Sequence, residues 1–239
     1  MFNIDISNKE SLLRCYRNEL VHENLKVVDT GVRGLLQYRK NQNKRHPDTS
    51  LSNSETCWIA QKLYGIIPES QDTIFNCWNL VKIYDAIHSG SNVTRDSNAI
   101  LVSIENGKEI IKHEHIVEFN KLANRQHCIA NFMPAPKEFN GWNNDYGTHP
   151  GKGEYYKDND FPDIYYQRAK EEFPDMFSWI NSHMEEYCLQ LFKAQITPWT
   201  NGNANFKTFS KRPTEDEVYA VVVTMNKLLD ERAERLLKK

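Results

Sequence analysis

A chain of 239 residues with 39% hydrophobic and 26% charged residues can bury a substantial core and is too apolar for gross disorder. Its 30 basic and 32 acidic residues leave a net charge of -2, which excludes a global bias toward nucleic acid or anionic membrane, so any such contact needs a local patch. The five cysteines, Cys15, Cys57, Cys77, Cys128 and Cys188, are odd in number and contain no Cys-x-x-Cys pair, a pattern that argues against a disulfide framework or cysteine zinc site and for a reducing compartment.

The first residues carry no basic segment followed by an apolar one, and no window approaches the roughly 18 apolar residues of a membrane span. The expectation is a soluble, cytoplasmic protein without membrane contact. Residues 1–7 alternate Phe2, Ile4 and Ile6 with polar residues, as in a short strand or arm. Ser7 or Asn8 then caps a helix through Leu12, Leu13, Tyr16 and Leu20 to about Asn24. A second helix runs from about Thr30 to Asn41.

Between Arg33 and Arg45 lie Arg33, Arg39, Lys40, Lys44 and Arg45 with no acidic residue. That is the strongest local candidate for a nucleic-acid or partner contact, and equally the pattern of cations complementing a helix C-terminus. A polar loop at 46–53 leads to a helix from Ser54 through Cys57, Trp58, Ala60, Leu63 and Tyr64, stopped at Gly65. A longer helix starts near Ser70 or Asp72 and carries Ile74, Phe75, Trp78, Val81 and Tyr84. Residues 99–104 fit either a buried strand or helical turns. Asn106 and Gly107 permit a hairpin near residues 97–112, while Ile111, His115, Phe119 and Leu122 read as one face of a helix over Glu109–Ala123.

The segment from Cys128 to Pro136 is apolar and ends on two prolines, so it leaves the core and delivers a turn-rich loop over residues 140–160, long enough to be functional or mobile. Gly151, Lys152 and Gly153 at its tip are compatible with a phosphate or partner contact, or with a plain flexible turn. Helices follow from Asp160 to Pro174 and from Asp175, the second with a stripe of Phe177, Ile180, Met184, Cys188 and Leu191. After a linker to Arg212, Thr214 and Glu217 form a capping box for a last helix, whose buried stripe is Val218, Val221, Val222, Met225, Leu228, Leu229 and Leu236. The architecture expected is mainly α: a single multi-helix domain over residues 1–239 with at most a small β-hairpin near 97–112.

One spacing has the order of catalytic chemistry. Glu114 and His115, then Asn131, then Asn140, resemble the His-metal nucleases of the HNH type, in which a strand ends in His, an Asn lies on the return, and a His or Asn follows on a helix. The resemblance implies His115 as the base that activates water, Asn131 as the group holding it, and Glu114 with Asn140 as oxygen ligands of Mg²⁺. No cofactor is expected otherwise. His115 among Ile111, Phe119 and Leu122 is also the pattern of a core or boundary histidine. Asn140 stands where the stronger signature has His.

Ala130, Asn131, Phe132, Met133, Pro134 and Pro136, followed by Phe139 and Asn140, Lys152 and Gly153, and Ile164, Tyr165 and Tyr166, are similar to a domain of unknown function in low-GC Gram-positive bacteria. The likeness runs from His127 to about Lys170 and, more loosely, to Asn226, Glu231 and Arg232 in the final helix. It implies a bacterial, accessory or mobile-element protein and brings no activity with it. The functional expectation is therefore a non-enzymatic module that binds a protein or nucleic-acid partner, with an HNH-like Mg²⁺-dependent nuclease as the alternative.

Overall fold

The computed structural model describes residues 6–14, 60–66, 70–75, 80, 112–126, 128–136, 161–172, 174–196 and 213–239. Among them the protein is mainly α-helical. The elements are α1 (Lys9–Leu13), β1 (Ser70–Thr73), α2 (His113–Arg125), a 3-10 turn at Ile129–Asn131, β2 (Phe132–Ala135), α3 (Pro162–Glu172), α4 (Pro174–Ser182), a 3-10 turn at Gln190–Lys193, and α5 (Glu215–Leu236). The residues of the expected hairpin before 112, the basic segment 33–45 and the loop 140–160 lie outside the described residues.

Helix α5 is the backbone of the packing. It touches α1, α2 and the first 3-10 turn, and its 22 residues span about 33 Å at 1.5 Å per residue. Its capping box closes as the sequence predicts: Thr214 Oγ1 accepts from the Glu217 N–H at 3.2 Å, and Glu217 Oε2 accepts from the Thr214 N–H at 2.7 Å. Two of the four orphan N–H groups at the helix start are thereby satisfied. Replacing Thr214 by Ala removes one of those acceptors, and urea unfolding is expected to show a loss of about 1 kcal/mol; an unchanged midpoint would mean that the helix start is held by its neighbours instead.

The buried stripe of α5 contains Val218, Val221, Val222, Met225, Leu229, Ala233 and Leu236. Leu228, expected in the stripe, is only partly buried, and two polar residues, Asn226 and Arg232, lie inside it. Helices α2 and α5 run in the same direction. Lys112 meets Glu215 and Asp216, the Asn226 amide donates to Glu118, and Arg125 reaches Asp230, so contacts advance along both helices together. On α2 the predicted face is buried, with His115, Phe119 and Leu122 turned inward.

Three predicted elements are corrected. The first helix begins on its Asn8 cap, whose Oδ1 accepts from the Ser11 N–H at 2.8 Å, but it ends at Leu13, because Arg14 is already extended. The helix expected from Ser70 is a strand at its start: Ser70–Thr73 pairs antiparallel with Phe132–Ala135, Thr73 opposite Phe132 and Ser70 opposite Ala135. Ser70 and Asp72 resemble caps locally, yet the Ile74 N–H is taken by the Asn131 carbonyl at 2.8 Å, and that bond holds the chain extended.

The helix expected to run from Asp175 through Leu191 stops at Ser182 and continues as turns over 183–188. The Leu189 N–H reaches back to the Met184 carbonyl at 2.8 Å and the Cys188 N–H to that of Glu185 at 3.4 Å. With Cys188 at φ +53°, this is a Schellman closure carrying cysteine where glycine is usual. The apolar stripe survives the break, since Met184, Cys188 and Leu191 are all buried.

Gly65 obeys the ordinary rule. It takes φ +70° and closes the helical turn at residues 60–64 with a bond from its N–H to the Gln61 carbonyl, a conformation that costs a residue with a Cβ far more.

Candidate functional site

The motif from Cys128 to Ala135 lies wholly in the core: Cys128, Ile129, Ala130 and Asn131 are 0% exposed, and Phe132 to Ala135 are buried as a continuous run. A strand buried along its whole length has no polar face, which is why its sequence reads as an unbroken apolar run. Burial also pushes the Cys128 thiol up to about 12. That keeps it protonated and removes it as a nucleophile.

Asn131 is the first polar hub. Its Oδ1 accepts from the Phe75 N–H at 2.8 Å, and its Nδ2 donates to the Phe75 carbonyl at 2.9 Å and to the Gln126 carbonyl. The carboxamide imitates a peptide unit toward Phe75 and ties the end of β1 to the end of α2. Both of its N–H donors are occupied.

Arg232 is the second hub and reaches the same motif from the other end of the chain. Its Nη1 donates to the carbonyls of Ala130 and Phe132, Nη2 to the Tyr187 carbonyl and the Tyr64 hydroxyl, both at 2.8 Å, and Nε to the carbonyls of Tyr187 at 3.3 Å and Cys188 at 3.1 Å. All five guanidinium N–H groups have an acceptor. Every one of those acceptors is a neutral oxygen. The left-handed backbone at Cys188 aims its carbonyl into this cluster, so the hydrogen bond to Arg232 offsets part of the cost of that conformation.

Tyr64 stacks edge-on against Tyr187 with ring centroids 4.9 Å apart. Burial raises its phenol while the Arg232 charge opposes the rise, so it keeps its proton and stands 3.5 Å from the Phe132 carbonyl as a donor.

The expected catalytic groups occupy separate places. His115 is 2% exposed, stacked on Tyr219 with centroids 4.3 Å apart, and faces the start of α5. Its Nδ1 is 3.0 Å from Glu215 Oε1 and its Nε2 is 3.4 Å from Asp216 Oδ1. The first approach is close enough for an ion pair but off the hydrogen-bonding angle; the same Glu215 Oε1 accepts from the Lys112 N–H at 3.0 Å. Lys112 Nζ lies 2.6 Å from Asp216 Oδ1 and holds that carboxyl below the usual aspartate range, with a smaller pull from His115.

Glu114 points to solvent from the first turn of α2. His115 and Asn131 thus face different groups, His115 the carboxylates at the start of α5 and Asn131 the backbone at Phe75 and Gln126. Asn140, with the candidate binding residues Arg33, Arg39, Lys40, Lys44, Arg45 and Lys152, lies outside the described residues. Among the described residues no group of three His, Cys, Asp or Glu side chains is placed to hold a metal ion, and no helix is long and apolar enough to cross a membrane.

A second cluster also has the residue types of hydrolytic chemistry. Ser182 Oγ stands 3.0 Å from His183 Nδ1, and His183 Nε2 stands 3.9 Å from Glu186. The Trp179 carbonyl, however, lies 2.8 Å from Ser182 Oγ and 2.9 Å from His183 Nδ1. The serine hydroxyl is directed at that carbonyl, and the same carbonyl competes with Ser182 for Nδ1, so the pair is not arranged as nucleophile and base. The cluster closes the last turn of α4.

Sequence reasoning did not find Arg232 as a hub. Its signals are a place in the looser likeness of the final helix and an arginine at a stripe position, four and three residues from Leu228 and Leu229, where an apolar residue belongs. Comparison with protein families, with curated proteins and with solved structures finds no match to this chain.

Proposed function

We propose that the protein is a binding module, in which the motif at 128–136 is a rigid structural mount and recognition falls to other segments of the chain. The observation that supports this reading is the full internal use of the motif's polar groups. Asn131 has both donors bonded to backbone, and the guanidinium that meets the motif has all five. Groups so committed position a chain; they do not turn over a substrate. The partner is a protein or nucleic acid, contacted through Arg33, Arg39, Lys40, Lys44, Arg45 and Lys152. The resemblance of residues 127–170 to uncharacterised proteins of low-GC Gram-positive bacteria brings no activity with it and is compatible with such a role.

Reversing charge at Arg39, Lys40 and Arg45 together is expected to abolish capture of the partner from the native host and any gel shift of labelled DNA or RNA, with the melting temperature unchanged. Capture that survives the triple reversal would remove the basic segment from the proposal. The nuclease alternative requires His115 to act on a bound water while it packs on Tyr219 between two carboxylates. Mg²⁺-dependent nicking that disappears in His115→Ala would favour that alternative over a binding module.

A further inference from the structure

The oxygens around Arg232 are held by interactions that do not involve it. The Ala130 and Phe132 carbonyls belong to the 3-10 turn and to β2, which is paired to β1. The Tyr187 and Cys188 carbonyls are aimed by the Schellman closure. The Tyr64 ring is set by the helical turn it sits on and by the ring of Tyr187.

We propose that these five oxygens form a preorganised receptor for an alkylguanidinium cation, which Arg232 fills in the native chain and a free guanidinium compound fills when that side chain is shortened. A cavity opened in an apolar core stays dry and takes an apolar guest. The one opened here is ringed by four carbonyls and a hydroxyl, so it takes hydrogen-bond donors, water or a cation, in place of an apolar guest. The acceptors lie around a flat fork and engage Nε and both terminal nitrogens. That geometry suits a planar guanidinium with five donors and not an ammonium with three tetrahedral ones.

Arg232→Ala removes two methylenes and the guanidinium, which are together the atoms of N-ethylguanidinium. The experiment follows the folded fraction and melting temperature of this variant against millimolar N-ethylguanidinium, far below denaturing concentrations. Ethylammonium serves as the cation control. Leu229→Ala, a core variant on the same helix with an apolar cavity, serves as the site control.

The expected result is an unfolding equilibrium constant for Arg232→Ala that falls about tenfold once the ligand exceeds its dissociation constant by that factor, with no response to ethylammonium and none in Leu229→Ala. An equal response to both cations, or in both variants, would overturn the proposal. Where Arg232→Ala is unfolded alone, recovery of its helical circular dichroism on dilution from urea into N-ethylguanidinium supports the receptor, and failure to recover rejects it.

Discussion

Arg232→Met is expected to lower the free energy of unfolding by about 4 kcal/mol or more, and Arg232→Lys by about 2 to 3 kcal/mol, in urea titrations with an unchanged slope. Two effects compete. Burying a cation is costly, and exchanging a buried ion pair for apolar residues of similar volume is often neutral or stabilising. That exchange works when both partners are side chains and are replaced together. Here the partners are backbone carbonyls of Ala130, Phe132, Tyr187 and Cys188, which no substitution at 232 removes. Methionine fills the stem and strips the guanidinium donors from four buried carbonyls, leaving that of Phe132 the long contact from the Tyr64 hydroxyl at 3.5 Å, at about 1 to 3 kcal/mol for each acceptor that neither water nor another donor reaches.

Lysine restores a charge and three donors but not the fork, so it recovers only part of the loss. A deficit below about 1 kcal/mol for methionine, the scale of an ordinary net hydrogen bond, would mean that the carbonyls find other donors and that Arg232 does not hold the motif.

Asn131→Ala should lose about 3 kcal/mol, since it strips partners from the Phe75 N–H, the Phe75 carbonyl and the Gln126 carbonyl inside a site with no solvent access. The local readout is sharper than the global one. The Phe75 amide bonds to the Asn131 side chain, whereas the neighbouring Ile74 amide bonds to the Asn131 backbone. Native-state hydrogen exchange should therefore show Phe75 losing protection in the variant while Ile74 keeps it. Equal loss at both would point to collapse of the strand pair and not to removal of one hydrogen bond.

These two residues also show where reading the sequence stops. Asn131 is visible as part of a motif, and the nuclease resemblance implies that it holds a catalytic histidine; the fold gives its amide to the backbone of Phe75, 56 residues away, and of Gln126. His115 was expected either as a base or as a core histidine. Its 2% exposure and its stack on Tyr219 accord with the second pattern. The strand at Ser70–Thr73 was read as a helix start because caps and periodicity are local signals, whereas strand pairing depends on the partner chain.

The sequence by itself determined what depends on neighbours within one or two turns. The mainly helical class, the Asn8 cap, the stop at Gly65, the capping box of Thr214 and Glu217, and the buried faces of α2 and α5 all rest on contacts three to four residues apart, and side-chain types report them directly. Only the tertiary structure decided how the proline-ended motif is held, because the groups that hold Arg232 are mostly main-chain carbonyls. Every residue carries such a carbonyl, so its availability to a distant guanidinium leaves no mark in the amino-acid code.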